Sequence, residues 1–210
     1  MSHQTAKWSE WGKVAYQESY RRQLELISLI QKGEIEDRIV TVEHPHVITV
    51  GRRKDSESNI LARGDVEVVH VERGGDVTYH GPGQLIVYPL IRLEEHERDL
   101  HLFLRHLEEA MINALIKFGL NSTRNEGKTG IWIDGRKLAS IGIACRKWVT
   151  FHGLALNVNT DLSYFSKINP CGFKSSIMTS MKEELGRELS MDEVKEELVS
   201  QLFKSLNRST

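Results

Sequence analysis

Apolar residues recur at spacings of three and four through Leu100, Phe103, Leu104, Leu107, Met111, Leu115 and Phe118, the period of one helix face. Asp99 stands where an N-cap is needed and Gly119 where the pattern stops, so a helix is predicted between them. A second helical stretch runs from Lys13 to Lys32 and meets Gly33, suited to the left-handed residue that ends a helix. A third follows the capping pair Ser190 and Glu193 through Val194, Leu198, Leu202 and Leu206. Elsewhere the pattern changes to strand-like runs: Arg38–Val42, Val47–Val50, Val66–Val71, Gln84–Leu90, Gly130–Ile133, Leu138–Ala144 and Val149–Val158. Asp134-Gly135 between two of these runs is a type I′ hairpin signal, because that turn needs positive φ, so Lys137 is expected to begin a returning strand. Helices interrupt the strands without alternating with them, and no repeat or linker divides residues 1–210. One α+β domain is expected.

Composition narrows the field. With 40% hydrophobic residues and 16 glycines in 210, the chain has the means to bury a core. Its 28 Lys+Arg balance 29 Asp+Glu, so no whole-molecule field draws it to nucleic acid or an anionic membrane. An electrostatic partner would have to meet a local patch, and Arg52-Arg53-Lys54 and Arg146-Lys147 are the candidates. The N-terminal stretch lacks the apolar core of a secretory signal, and no run is long enough to cross a bilayer. Cys145 and Cys171 have dissimilar flanks, which points away from a disulfide framework and toward reduced thiols in a cytoplasmic chain.

Candidate chemistry gathers in a few segments. In Asn169-Pro170-Cys171-Gly172 a cysteine sits between a φ-locked proline and a permissive glycine, which presents its side chain on a tight loop. Cys171 is a candidate nucleophile if a nearby group helps it ionise, or a small apolar residue in a turn. Cys145, within an alternating strand, reads as structural. Lys137 would share a strand face with Ala139, Ile141 and Ile143 if alternation holds. It is either a proton-exchanging amine lowered by desolvation or a solvated strand-end charge. The stretch Arg73-Gly74-Gly75-Asp76-Val77-Thr78-Tyr79-His80-Gly81-Pro82-Gly83-Gln84 has more glycine than a hairpin needs. Such glycines admit a ligand close to the backbone and free amides for an oxyanion, or merely decorate a loop. Small residues at Ser140, Gly142, Gly153 and Ala155 open a slot for an alkyl chain or permit close packing. His44, His46 and His80 lack an accompanying cysteine or carboxylate cluster, so no metal is expected.

Glu43-His44-Pro45 with Thr49 and Gly51, the Arg73–Gln84 loop, Gly135–Gly142, His152–Asn159 and Asn169–Gly172 together resemble the lipoyl(octanoyl) transferases, the lipoate-protein ligase B family, over about residues 35–182. The resemblance implies a mixed β-sheet flanked by helices, of the biotin/lipoate protein ligase type in the class II aminoacyl-tRNA synthetase and biotin synthetase group. It implies that octanoyl passes from the 4′-phosphopantetheine of acyl carrier protein to Cys171 as a thioester, with Lys137 as proton partner. The group then passes to a lysine on the lipoyl domains of 2-oxoacid dehydrogenase E2 subunits or on glycine cleavage H protein. No metal, added cofactor, nucleic acid or membrane is implied. The acyl pocket corresponds to Arg73–His80, to Ser140, Ile141 and Gly142, and to Gly153, Leu154 and Ala155. Rival readings are an ATP-using ligase on the same fold, an amidotransferase between lipoyl domains, and a non-enzymatic binding module.

Overall fold

The computed structural model describes residues 4–170 and 175–210. Its main sheet has eight strands in the order β11-β1-β2-β6-β10-β9-β8-β7. These are β1 (Gln4–Lys13), β2 (Asp37–Glu43), β6 (Gln84–Leu90), β7 (Thr123–Asn125), β8 (Lys128–Ile133), β9 (Arg136–Arg146), β10 (Val149–Asn157) and β11 (Arg208–Ser209). β1 runs parallel to β2 and β11 and the other pairs are antiparallel, so the sheet is mixed. A second sheet, β4-β3-β5, is built from β3 (Val47–Val50), β4 (Glu67–His70) and β5 (Val77–His80).

The central strands are buried on both faces, and their period-two alternation feeds two separate cores. Ile39, Leu85, Val87, Leu154 and Leu156 face α2 (Leu100–Ile116) and α4 (Met191–Ser205), against Phe103, Leu107, Met111 and Leu198. Their neighbours Val40, Val42, Ile86, Tyr88 and Ala155 face Ile27 and Ile30 of α1 (Tyr16–Lys32). Short α3 (Met181–Leu185) packs Met181 into the first core.

The helix ends follow the sequence signals. Asp99 accepts the His101 and Leu102 N–H groups at 2.8 and 3.0 Å, and Gly33 ends α1 at φ 76°. Asp134 and Gly135 turn at φ 46° and 79°, the positive pair a type I′ hairpin requires. Four strands escape the sequence reading, of which β7 and β11 are only three and two residues long. β1 is polar and half exposed, because it lies between β2 and the two-residue β11 and presents little to either core. β5 falls inside the glycine-rich stretch, where Val77 and Tyr79 join Ile48, Val50 and Phe165 in a core of the small sheet.

The two chain ends are joined through Arg208. It is buried and donates to Asp37 at 2.9 Å, to both carboxylate oxygens of Glu97, and to the Leu206 and Arg92 carbonyls. Removing one partner of a buried ion pair costs about 3–5 kcal/mol, because the other charge is left uncompensated. Arg208→Ala is expected to destabilise the fold by roughly 3 kcal/mol, and Asp37→Asn in the same chain is expected to restore part of the loss. Urea unfolding of the single and double variants measures both.

Candidate active site

Two cavities meet beside the glycine-rich stretch. The outer, of about 380 Å³, is lined by Lys137, Lys128, Arg53, Gly74 and Leu104. The inner, of about 50 Å³, is lined by Arg73, Thr78 and His80 from one segment, by Ser140, and by Gly153, Leu154 and Ala155. Gly75, Asp76, Ile141 and Gly142 line both and form the throat. The three expected pocket segments, far apart in sequence, thus converge on one space. Val77 and Tyr79 are the exceptions: alternation along β5 turns them into the small sheet's own core while Thr78 and His80 face the cavity.

The strand pair β9–β10 holds these residues in continuous register, with Gly142 opposite Gly153 and Ser140 opposite Ala155. Lys137 lies near the start of β9 and is 4% exposed, so it is no solvated strand-end charge. Simple alternation does not carry it there. Ile131 pairs with Ala139 and Trp132 with Lys137, so Leu138 is an extra residue and a bulge re-aims the lysine. Its Nζ lies 5.5 Å from the Trp132 ring centroid. Its stem crosses Gly130, where an added Cβ would come within 2.9 Å of Lys137 Cε and 2.3 Å of the Ala139 carbonyl oxygen. Buried Glu108 on α2 accepts the Gly130 N–H at 3.1 Å and fixes that contact.

The glycines serve a purpose the sequence did not reveal. A Cβ at Gly51 or Gly142 would lie within about 3 Å of the Arg73 side chain, at 2.9 and 3.0 Å respectively. They make room for a buried guanidinium as well as for a ligand. Arg73 donates to the Thr49 carbonyl and hydroxyl oxygens at 2.9 and 2.8 Å and to the Gly74 carbonyl at 3.1 Å. From there a chain of buried hydrogen bonds crosses the site. Thr49 Oγ1 lies 3.4 Å from His80 Nε2, His80 Nδ1 lies 2.8 Å from Gln84 Oε1, and Gln84 donates to Asn157 at 2.8 Å. Asn157 donates to the Thr179 carbonyl at 2.9 Å, and the Thr179 N–H donates to the Lys137 carbonyl at 3.0 Å. The amide orientations leave Gln84 Oε1 as the acceptor, so His80 carries its proton on Nδ1.

Desolvation holds three neighbouring imidazoles neutral. It pushes His80 and His152 down to about 3 and His44 down to about 4. His44 lies between the Val14 carbonyl and the Tyr88 hydroxyl, while His46 stacks on Tyr164 on the small-sheet side. Among the described residues, no group of three His, Cys, Asp or Glu side chains is placed to hold a metal ion. The expected nucleophile, Cys171, lies outside the described residues. The described chain after it returns to the lysine, since Met178 forms a parallel bridge with Lys137. Cys145 is half-buried, and burial raises its thiol above the ordinary value. Tyr16 carries site geometry that sequence reasoning did not single out, and His152 and Asn157 stood within the His152–Asn159 motif without a role of their own. His152-Gly153 within a strand was the available signal, since His152 adopts φ 55°.

The lipoyl protein ligase A/B catalytic domain model matches residues 15–203. The chain belongs to this family. An octanoyltransferase of Bacteroides thetaiotaomicron is 44% identical over 94% of each chain. One of Syntrophotalea carbinolica is 47% identical over 90% of this chain and 88% of its own. The protein is accordingly an acyltransferase of the lipoyl protein ligase A/B family. Solved structures show the fold: a lipoate-protein ligase A bound with ATP superimposes with a TM-score of 0.76 at 17% identity, over 99% of this chain and 87% of that one. A biotin protein ligase from Aquifex aeolicus gives 0.55 at 14% identity, over 97% and 69%. The expected biotin/lipoate protein ligase architecture is the one observed.

The neutral imidazoles have a measurable consequence for this acyltransferase. Their folded pKa values lie below the unfolded value of 6.5. The unfolded chain therefore binds protons that the folded chain refuses. Stability present above pH 6.5 is lost as pH falls toward 4, by up to about 1.4 kcal/mol per pH unit for each ring. The melting temperature is expected to hold between pH 8 and 7 and to fall from pH 6 to 5, more shallowly in His152→Asn. Thermal unfolding across that range tests it.

Proposed function

We propose that the protein moves an octanoyl group from acyl carrier protein to Cys171 as a thioester, and then to a lysine of a lipoyl domain. One observation carries the reading: the three expected pocket segments line two adjoining cavities that share Gly75, Asp76, Ile141 and Gly142, with buried Lys137 in the outer one. The octanoyltransferase relatives support the acyl group and the tie between Lys137 and Met178 supports the pairing of lysine and cysteine. In the first half-reaction the Cys171 thiolate attacks the donor carbonyl, the carbon–sulfur bond to pantetheine breaks, and the departing sulfur takes a proton from Lys137. In the second the acceptor amine attacks the Cys171 thioester, an amide forms, and the amine proton passes to Lys137 as the cysteine sulfur leaves. A thioester is already activated, so no nucleotide, metal or added cofactor takes part. The setting is cytoplasmic, and the acceptors are the lipoyl domains of 2-oxoacid dehydrogenase E2 subunits and glycine cleavage H protein.

Incubation with octanoyl-acyl carrier protein, without ATP or acceptor, is expected to add one octanoyl mass to the peptide containing Cys171. The mass is expected to leave when a lipoyl domain is added. Cys171→Ala is expected to abolish both events, and Lys137→Ala to slow transfer by about 10²–10⁴-fold, the usual weight of a general acid–base group. Transfer that requires ATP and leaves both cysteines unmodified would favour a ligase.

The basic candidates form one surface. Glu72 accepts from Arg52 at 3.1 Å and from Arg146 at 2.7 Å, which brings Arg52-Arg53-Lys54 beside the exposed Arg146-Lys147 tip of the β9–β10 hairpin. Arg53 also lines the outer cavity. We assign this surface to docking of an acidic carrier protein. Arg52→Glu with Arg53→Glu is expected to raise the KM for the carrier about tenfold at low salt, with a smaller difference at high salt. An unchanged KM would remove the surface from the docking model.

A further inference from the structure

Lys137 lines only the outer cavity, whereas Tyr16, Tyr88 and His152 line only the inner one. An acyl chain whose carbonyl lies beside Lys137 therefore passes the Gly75–Gly142 throat with its methyl end leading toward Tyr16. The space contracts from about 380 to about 50 Å³ along that path, so the inner end limits how many methylenes fit.

That end is rigid. Tyr16 opens α1, is 3% exposed, and shares a buried cluster with Val47 and Val71. Its ring lies 5.1 Å from that of His44 and stacks 6.0 Å from that of His80, and its hydroxyl lies 3.3 Å from His152 Nδ1. His152 is 1% exposed, with its N–H bound to Gln23 at 2.9 Å and its ring stacked 5.3 Å from Tyr20. Its Nε2 has no hydrogen-bond partner among the described residues. Tyr16 can satisfy only Nδ1, so in either neutral tautomer one buried nitrogen remains open. A methyl end pressed against that nitrogen denies it any partner, a penalty that a shorter chain avoids.

We propose that Tyr16 and His152 set the upper length of the acyl chain, Tyr16 as a wall and His152 as a polar stop. The assignment rests on the proposed acyl transfer. It adds two specificity-determining residues outside the three pocket segments.

The test compares full-length wild type with Tyr16→Ala, Tyr16→Leu, Tyr16→Phe and His152→Asn, the asparagine chosen because it tolerates positive φ. Each is assayed with hexanoyl-, octanoyl-, decanoyl- and dodecanoyl-acyl carrier protein and a lipoyl domain, and the readout is the dodecanoyl-to-octanoyl ratio of kcat/KM. One methylene in an apolar pocket is worth about 10–200-fold in discrimination. Tyr16→Ala and His152→Asn are expected to raise the ratio at least about tenfold, and Tyr16→Phe, which restores the wall, to return it toward the wild-type value. If circular dichroism shows that Tyr16→Ala does not fold, Tyr16→Leu and His152→Asn carry the comparison. Folded variants at both positions with the wild-type ratio would overturn the assignment and leave the transfer reading intact. Absence of octanoyl transfer by wild type itself would remove both.

Discussion

The hydrogen-bonded pairing of β9 with β10 is the constraint on which the site depends. It runs without a register shift from Arg146 opposite Val149 to Ala139 opposite Leu156. At one end the bulge at Leu138 turns Lys137 into the cavity, in the middle paired small residues open the throat, and at the other end His152 closes the inner chamber. A slip of one residue would exchange every face, moving Leu154 and Leu156 out of the main core. The two cores that flank the sheet therefore hold the chemistry in place, although none of their leucines performs it.

Several polar groups are buried around this pair, and apart from His152 Nε2 those that span the site are held by their surroundings. Arg73 is accommodated by glycines that leave space for its stem and by the oxygens of Thr49 and Gly74. His80, Gln84, Asn157 and Thr179 pass hydrogen bonds across the sheet to the backbone of Lys137. Satisfied networks of this kind stiffen a site, because a half-made network costs more than an apolar one. The left-handed backbone of His152 is strain of order 1–2 kcal/mol. It persists because Gln23 holds the amide and two tyrosines hold the ring.

Much of the fold was legible in local pattern. Asp99, Gly33 and Asp134-Gly135 act through neighbouring backbone alone, so their signals survive in one dimension. β1 was not legible, because its polar sequence becomes a strand only through the hydrogen bonds that β2 and β11 offer. The pocket segments were legible as glycine-rich or small-residue runs within a family resemblance, but not that the side chains of Val77 and Tyr79 turn from the cavity into another core. Nothing in that run distinguishes a loop from a short strand whose alternate residues face a different core.

By itself the sequence determined the kind of protein this is: an α+β chain with a buried-core composition, helix caps and a hairpin turn at stated residues, and motifs that mark an acyltransferase family. These properties depend on residue types and short spacings, which need no folding to be read. Only the tertiary structure decided that Lys137 is buried through a bulge, that Arg73 occupies the space the glycines leave, and that Tyr16 meets His152 across more than a hundred residues. Such contacts follow from strand register and from the packing of α1 on the sheet, and they exist only when distant segments pair.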